Sequence, residues 1–337
     1  MSGPLRWGIL GTAGIARKAM IPGLLAAPGC RIDAIASRDG ARARAMADDF
    51  AIPRSHDSYD ALIADPGIDA VYIPVPNHLH VPLTCAALAA GKHVLCEKPL
   101  SLTPDGAAEV AAAQAASGRL VMEAFMVRHH PQWLRARAIV RDGGIGRLCA
   151  VQAAFCYANA DPANVRNQAD IGGGGLYDVG CYALEAGRWF FGTEPERVAA
   201  LADIDPAFGT DRLTSGLAAF PGGGQLAFTV STQAVLTQSL MLIGTTGRIT
   251  LDIPYNAPRD HAARLVIDDG RDLAGGGART EQIAAADQYA AQAETFARLV
   301  ATGTPADFAA EMAQITAAAA ALSATARAMR SGGWETP

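Results

Sequence analysis

The 337-residue chain has no block of lysine or arginine, no apolar run long enough to cross a bilayer, no C-x-x-C cysteine pair and no internal repeat. Each absence removes a class of function. A net charge of -5 and a pI near 5.8 leave no electrostatic footprint for nucleic acid or an anionic membrane, so neither is expected as a partner. Small-molecule chemistry is what remains. The opening MSGPLRWGIL has no basic segment ahead of an apolar stretch and runs straight into a strand, which argues against a signal peptide and for a cytoplasmic protein. The most apolar late segment, ITAAAAALSATARAM, is alanine-rich, short for a membrane span and interrupted by Arg327, and it reads as a packed helix. Cys30, Cys85, Cys96, Cys149, Cys156 and Cys181 sit mostly in apolar segments, as core thiols of a reducing compartment do. His78 and His80, and the pair His129 and His130, have no Cys, Asp or Glu at ligand spacing, so no metal site is expected.

The chain is 50% hydrophobic and 18% charged, with enough apolar residues to give each of two domains a core. The first third alternates short strand-like runs, LRWGIL, RIDAIAS, DAVYIPV, HVLCE and LVMEA, with helical patterns near 14–27, 39–50, 79–90 and 103–118. That alternation predicts a Rossmann-type, doubly wound parallel sheet with crossover helices. From about Arg147 the texture changes to a long strand-like stretch, LCAVQAAFCYAN, a glycine cluster, one helix, and then segments such as GQLAFTVSTQA, SLMLIGT and GRITLDI separated by turn residues. This predicts an open, mostly antiparallel sheet, so the fold class expected is α/β plus α+β. After Gly275 to Gly277 the pattern is helical again, through DQYAAQAETFARLV to a final helix ending near Gly332.

LRWGIL leads into GTAGIARKAM, so Gly11, Ala13 and Ala16 take the three positions of the G-x-G-x-x-G/A dinucleotide turn, with Thr12, Gly14 and Ile15 completing it. The middle glycine is absent. A methyl group there is a small obstruction to a pyrophosphate, while the helix N-terminus still favours the anion. The second strand ends at Ser37 and Arg38, where a NAD-binding chain would present an acid; a hydroxyl and a guanidinium match a 2'-phosphate, so NADP is expected over NAD. Arg38 has a second reading as a solvated charge, and Asp39 has two, as the cap of the next helix or as a ribose ligand. Pro74 and Pro76 fix an extended exit from the next strand at the carboxyl edge, where such folds bind ligands. Asn77 is read as capping the following helix. For Asn77 and His80, contact with the cofactor stands beside the plainer readings of a cap and an exposed histidine.

VLCE reaches the same edge, and Glu97, Lys98 and Pro99 leave the sheet where the nicotinamide half of a dinucleotide would lie. The second candidate region is IGGGGLYDVGCYALEAGRWFFG, where Gly172 to Gly175 precede a helix expected over 176–191 and stopped at Gly192. Asp178 and Tyr182 are four residues apart and share a face near its start. The bland alternative is that Asp178 complements the helix dipole and Tyr182 fills core.

These stretches together carry a resemblance. EKP at Glu97 to Pro99, IPVPNHLH at Ile73 to His80, MEAFMVRHHPQ at Met122 to Gln132 and GGGLYDVGCY at Gly173 to Tyr182 resemble the glucose-fructose oxidoreductase, inositol dehydrogenase and MocA family over nearly the whole chain. Within it the sequence is most similar to the NADP-dependent dimeric dihydrodiol dehydrogenase and D-xylose dehydrogenase branch; Tyr182 stands where inositol dehydrogenases usually have His. The resemblance implies a dinucleotide-binding domain over 1–124 and a substrate-binding and oligomerisation domain over 125–337, with the C-terminal helices packing back on the first domain. It also implies a homodimer or higher homo-oligomer through the C-terminal sheet, and a sugar or trans-dihydrodiol as substrate. Lys98 and Tyr182 would be the catalytic pair beside the nicotinamide, with Asp178 holding the pair or binding a substrate hydroxyl. Arg128, Arg166 and Asn167 (with Asn164) are candidates for the sugar pocket, against a plain surface reading. A cofactor-retaining reaction without net redox change is the alternative chemistry in similar folds.

Overall fold

The structure is a computed structural model and describes residues 3–337. The chain falls into two compact units. One runs up to His129 and takes in Asp287–Thr316; the other comprises His130–Ala286 and Ala317–Pro337. The helix after the second sheet therefore belongs to the first unit.

The first unit is built on strands β1 Leu5–Leu10, β2 Cys30–Ala36, β3 Arg54–His56, β4 Ala70–Ile73, β5 His93–Cys96 and β6 Val121–Glu123, with helices α1 Ile21–Ala26, α2 Gly40–Asp49, α3 Tyr59–Ile63, α4 His80–Ala89 and α5 Pro104–Ser117. All strand pairs are parallel, in the order β3-β2-β1-β4-β5-β6. Side chains of a strand alternate between faces, and the core divides accordingly. Trp7, Ile9, Tyr72, Leu95 and Met122 pack on one side, while Leu10, Val71, Ile73, Val94, Cys96 and Val121 pack on the other. A sheet buried on both faces explains why its strands read as continuous apolar runs. Each fully buried aliphatic side chain there contributes about 1.5–3 kcal/mol relative to an exposed one. The edge strand β3 was not legible in the sequence, because Arg54, Ser55 and His56 carry no β-branched or aromatic signal.

The second unit holds helix α6 Pro131–Arg141, strand β7 Leu148–Ala158, helix α7 Cys181–Phe191, and strands β8 Arg197–Ile204, β9 Asp211–Phe220, β10 Gly224–Ser231, β11 Gln233–Gly244, β12 Arg248–Leu251, β13 Ala263–Asp268 and β14 Ala278–Ile283. Its sheet has the order β14-β13-β12-β11-β7-β10-β9-β8, antiparallel except for the β7–β10 pair. On β9, Ala218 and Phe220 are buried while Leu213 and Leu217 are exposed, so one face is core and the other is open. Helix α7 lies close on the core face: a Cβ at Gly187 would stand 2.9 Å from the Phe220 ring. Two helices follow, α8 Gln288–Thr302 and α9 Pro305–Ser331. Phe296 of α8 lies 4.8 Å from Trp7 of β1, ring centroid to ring centroid, within the first unit. No helix among the described residues is long and apolar enough to cross a membrane.

Buried histidines, His93 and His130 among them, make the fold acid-sensitive. Nδ1 of His93 accepts the Leu120 N–H at 2.9 Å, and Nδ1 of His130 accepts the Gln132 N–H at 3.1 Å, which caps α6. Burial lowers both pKa values to about 4, and protonation would remove each acceptor. An unfolded chain binds these protons near the ordinary imidazole value, so the folded state binds fewer between pH 6.5 and about 4, and stability falls as pH drops through that window. Each imidazole accounts for about 1 kcal/mol per pH unit there. We expect the thermal midpoint to fall by several degrees from pH 7 to pH 5. In His130→Asn, which keeps a capping acceptor without an ionisable ring, the slope should be shallower; an unchanged slope would contradict this assignment.

Candidate active site

In the first unit the site residues gather at the carboxyl edge of the parallel sheet. Gly11 follows β1 with φ +131°, a conformation that favours glycine, and its N–H donates to Ala36 O at 2.9 Å, tying the ends of β1 and β2. Helical structure begins at Gly14, where a Cβ would meet nothing within 4 Å, so the turn formed by Thr12, Ala13 and Gly14 is open on that side. Ala16 is fully buried, as the third position of the turn requires where helix meets sheet. These features fit a pyrophosphate at the helix N-terminus. At the end of β2, Asp39 Oδ1 accepts the Ala41 and Arg42 N–H groups at 3.0 and 3.3 Å, so its carboxylate caps α2. Ser37 is buried, with its hydroxyl accepting the Asp39 N–H, and Arg38 beside it is exposed.

Two expectations for the next exit are corrected. Asn77 is the first residue of a 3-10 turn after Pro76, and neither that turn nor α4 has a side-chain cap, because the chain enters the helix through the turn rather than from a capping residue. His80 is not exposed but fully buried. Its two ring nitrogens face Pro99 O and Val75 O at 2.8 Å, away from any cofactor, and because burial lowers its pKa to about 4 the neutral ring donates its single N–H to one of the two carbonyls. It packs between the exits of β4 and β5. Glu97 Oε1 accepts the Tyr72 hydroxyl at 2.6 Å, and Glu123 Oε1 accepts the Leu100 N–H at 2.7 Å. Burial, then the Glu97 charge, pushes the Tyr72 phenol well above its ordinary range. Tyr72, His80 and Glu123 thus fix the loop that carries half-buried Lys98 from three sides; the Lys98–Pro99 peptide in it is cis. Arg128 also lies in the first unit, buried, with its guanidinium 5.0 Å from the centroid of the Phe125 ring.

In the second unit the glycine cluster leads into a π-helical turn, Leu176–Gly180, from which α7 continues. Gly173 is required by close approach: a Cβ there would stand 2.6 Å from the carbonyls of Arg166 and Gln168. Asp178 Oδ2 accepts the Tyr157 hydroxyl at 2.5 Å and pairs with Arg166 Nε at 2.8 Å. Burial, then the Asp178 charge, raises the Tyr157 pKa. Tyr182 is buried, its ring 5.6 Å from both Phe155 and Tyr255, which stack on each other at 4.8 Å. Phe155 and Tyr157 are two apart on β7 and so point to one face, which puts Asp178 and Tyr182 on the same side of the sheet. Asn167 is buried, and its amide nitrogen donates to Asp161 O at 2.8 Å and Asn159 O at 3.2 Å, so it braces the preceding loop, while its Oδ1 has no hydrogen-bond partner in the structure. Tyr157 and Tyr255 are the residues the sequence reading missed. For Tyr157 the available signal was an aromatic with a polar end, spaced two from Phe155 on the strand that precedes the glycine-rich region.

Residues 5–125 match the oxidoreductase family with an NAD-binding Rossmann fold, and residues 133–250 match the GFO/IDH/MocA C-terminal domain. The chain belongs to the Gfo/Idh/MocA family of oxidoreductases. It is 40% identical to the NADP(+)-dependent D-xylose 1-dehydrogenase 2 of Haloferax volcanii over 89% of this chain and 90% of that protein. It is 34% identical to the trans-1,2-dihydrobenzene-1,2-diol dehydrogenase of Mus musculus over 72% and 73%. In structure it is similar to a 3-ketoreductase from Actinomadura kijaniata solved with NADP and TDP-benzene, with a TM-score of 0.89, 30% identity and coverage of 97% and 98%. That ketoreductase has also been solved with one tyrosine replaced by phenylalanine and with one lysine replaced by alanine.

The Tyr157–Asp178 bond is testable without a substrate. A double-mutant cycle of Tyr157→Phe and Asp178→Asn, read by denaturant unfolding, should give a coupling of about 1.5–3 kcal/mol, as expected for a hydrogen bond to a charged group. A coupling near zero would contradict the clamp.

Proposed function

We propose that this oxidoreductase uses NADP to interconvert a hydroxyl and a carbonyl on a sugar or a trans-dihydrodiol, with Tyr182 as acid–base group and Lys98 as its partner. The observation that carries the reading is the pairing of a clamped carboxylate, Asp178, with a phenol four residues on, on a helix fronted by glycines. Asp178 has both a guanidinium and a hydroxyl on Oδ2, so its carboxylate is fixed in place as an acceptor for a substrate hydroxyl. When bound, NADP supplies the hydride acceptor for oxidation or the donor for reduction. In oxidation Tyr182 Oη takes the hydroxyl proton, and in reduction it returns one to the carbonyl oxygen. A free phenol titrates near ~10, and an adjacent ammonium lowers that by roughly 1–3 units, which is the contribution assigned to Lys98. The pair matches in kind the residues replaced in the ketoreductase variants, one lysine and one tyrosine.

The preference for NADP is supported by the end of β2, where Ser37 and Arg38 stand without a competing carboxylate because Asp39 caps α2. Gly11 to Ala16 would hold the pyrophosphate, and Pro74 and Pro76 would line its path along the carboxyl edge. Names of relatives agree with this reading: one is an NADP(+)-dependent xylose dehydrogenase and another acts on a trans-dihydrodiol.

The experiment is to incubate the protein with NADP and a panel of aldoses, polyols and dihydrodiols, following nicotinamide absorbance. Lys98→Met and Tyr182→Phe should each lower turnover by at least ~100-fold with NADPH affinity largely intact. Near-normal turnover in either variant would refute the role given to that residue. Product formation without a net absorbance change would instead mark the cofactor-retaining reaction.

A further inference from the structure

The glycines in front of the active-site helix also form a socket for a carboxylate that arrives from elsewhere in the sheet. Asp211, the first residue of β9, is buried, and its Oδ2 accepts the Leu176 N–H at 2.7 Å and the hydroxyl of fully buried Thr214 at 2.6 Å. On its other side stands Gly174, with φ +124°, where a Cβ would lie 2.1 Å from Asp211 Oδ1. Glycine is therefore needed at 174 both for its backbone conformation and for the room the carboxylate takes. Leu176 is buried as well, so solvent is not at hand to replace the acceptor. Leu176 opens the π-helical turn that contains Asp178, and Tyr182 follows in the first turn of α7.

The geometry points to Asp211 as a positioning residue for the reaction, setting the start of the helix that carries Asp178 and Tyr182. This rests on the acid–base role given to Tyr182. The first N–H groups of a helix have no partners within it, and here a carboxylate from a strand satisfies that of Leu176, aligned with the positive end of the helix dipole. A strand-borne anchor fixes the helix start relative to β7, where Tyr157 meets Asp178. Displacement of a reacting group by about 1 Å can cost on the order of 100-fold in rate, so an anchor at this point acts on turnover and not only on stability.

Asp211→Ala and Asp211→Asn should be compared with wild type and Tyr182→Phe for kcat, KM, NADPH affinity and amide hydrogen exchange. The alanine variant should lose about 10-fold or more in kcat, with NADPH affinity within about twofold and faster exchange across 175–182. Asparagine keeps a single acceptor oxygen for two donors, the Leu176 N–H and the Thr214 hydroxyl, so its loss should be intermediate, about threefold or more, with faster exchange over the same residues. If the alanine variant does not fold, the asparagine variant decides. Folded variants with kcat within twofold of wild type, or a loss of kcat with unchanged exchange at 175–182, would overturn the assignment while Tyr182→Phe remains inactive. A fully active Tyr182→Phe would overturn the acid–base reading itself, and the positioning role with it.

Discussion

A single carboxylate oxygen, Oδ2 of Asp178, ties together three pieces of chain that would otherwise be independent. The Tyr157 hydroxyl reaches it from the end of β7, the Arg166 guanidinium from a 3-10 turn, and the carboxylate itself is carried by the helix start. Asp178 is half-buried, and the same two contacts that stabilise its charge also fix where it points. The glycines follow from this constraint. Gly173 lets the chain pass within reach of the Arg166 and Gln168 carbonyls, and the Gly174 N–H donates back to Arg166 O at 2.9 Å, so the residue that clamps Asp178 is itself held by the loop leading to it.

The first unit solves a different problem. A parallel sheet covered on both faces can offer functional groups only at its carboxyl edge, and the loops leaving that edge must be rigid without secondary structure of their own. Three contacts provide that rigidity around Lys98: the Tyr72 hydroxyl on Glu97, the His80 ring on the Pro99 carbonyl, and Glu123 on the Leu100 N–H. The abrupt charges after the apolar run VLC are explained by this. Glu97 answers a buried phenol at the end of the neighbouring strand, and Lys98 is carried by the loop so fixed.

Much of this was legible in the sequence, for local reasons. The five apolar runs of the first third became strands, the glycine turn took the expected place between β1 and a helix, and the helix before Gly192 stopped there with Gly192 in the left-handed region. Ser37, Arg38, Lys98, Asp178 and Tyr182 stood out because each sits at a strand end or near a helix start, while the catalytic roles given to Lys98, Asp178 and Tyr182 came from the family resemblance and not from position. What was not legible depends on contacts between residues far apart in the chain. His80 is buried because two carbonyls from separate loops close on it, Tyr157 becomes significant only once β7 lies beside the helix start, and Asp211 meets Leu176 across 35 residues. No local spacing encodes such meetings. Asn77 shows the converse: its residue type suits a cap, but the 3-10 turn after Pro76 gives it no cap to make.

The assignment of proton transfer to Tyr182, with its acidity set by Lys98, is the claim on which the functional reading turns. Its most direct test is the pH dependence of kcat for alcohol oxidation in wild type and in the residual activity of Lys98→Met. Oxidation needs the phenolate, so the rate should rise through the phenol's titration, and loss of the ammonium should move that midpoint to higher pH by about 1 unit or more. Superimposable profiles for the two proteins would contradict it.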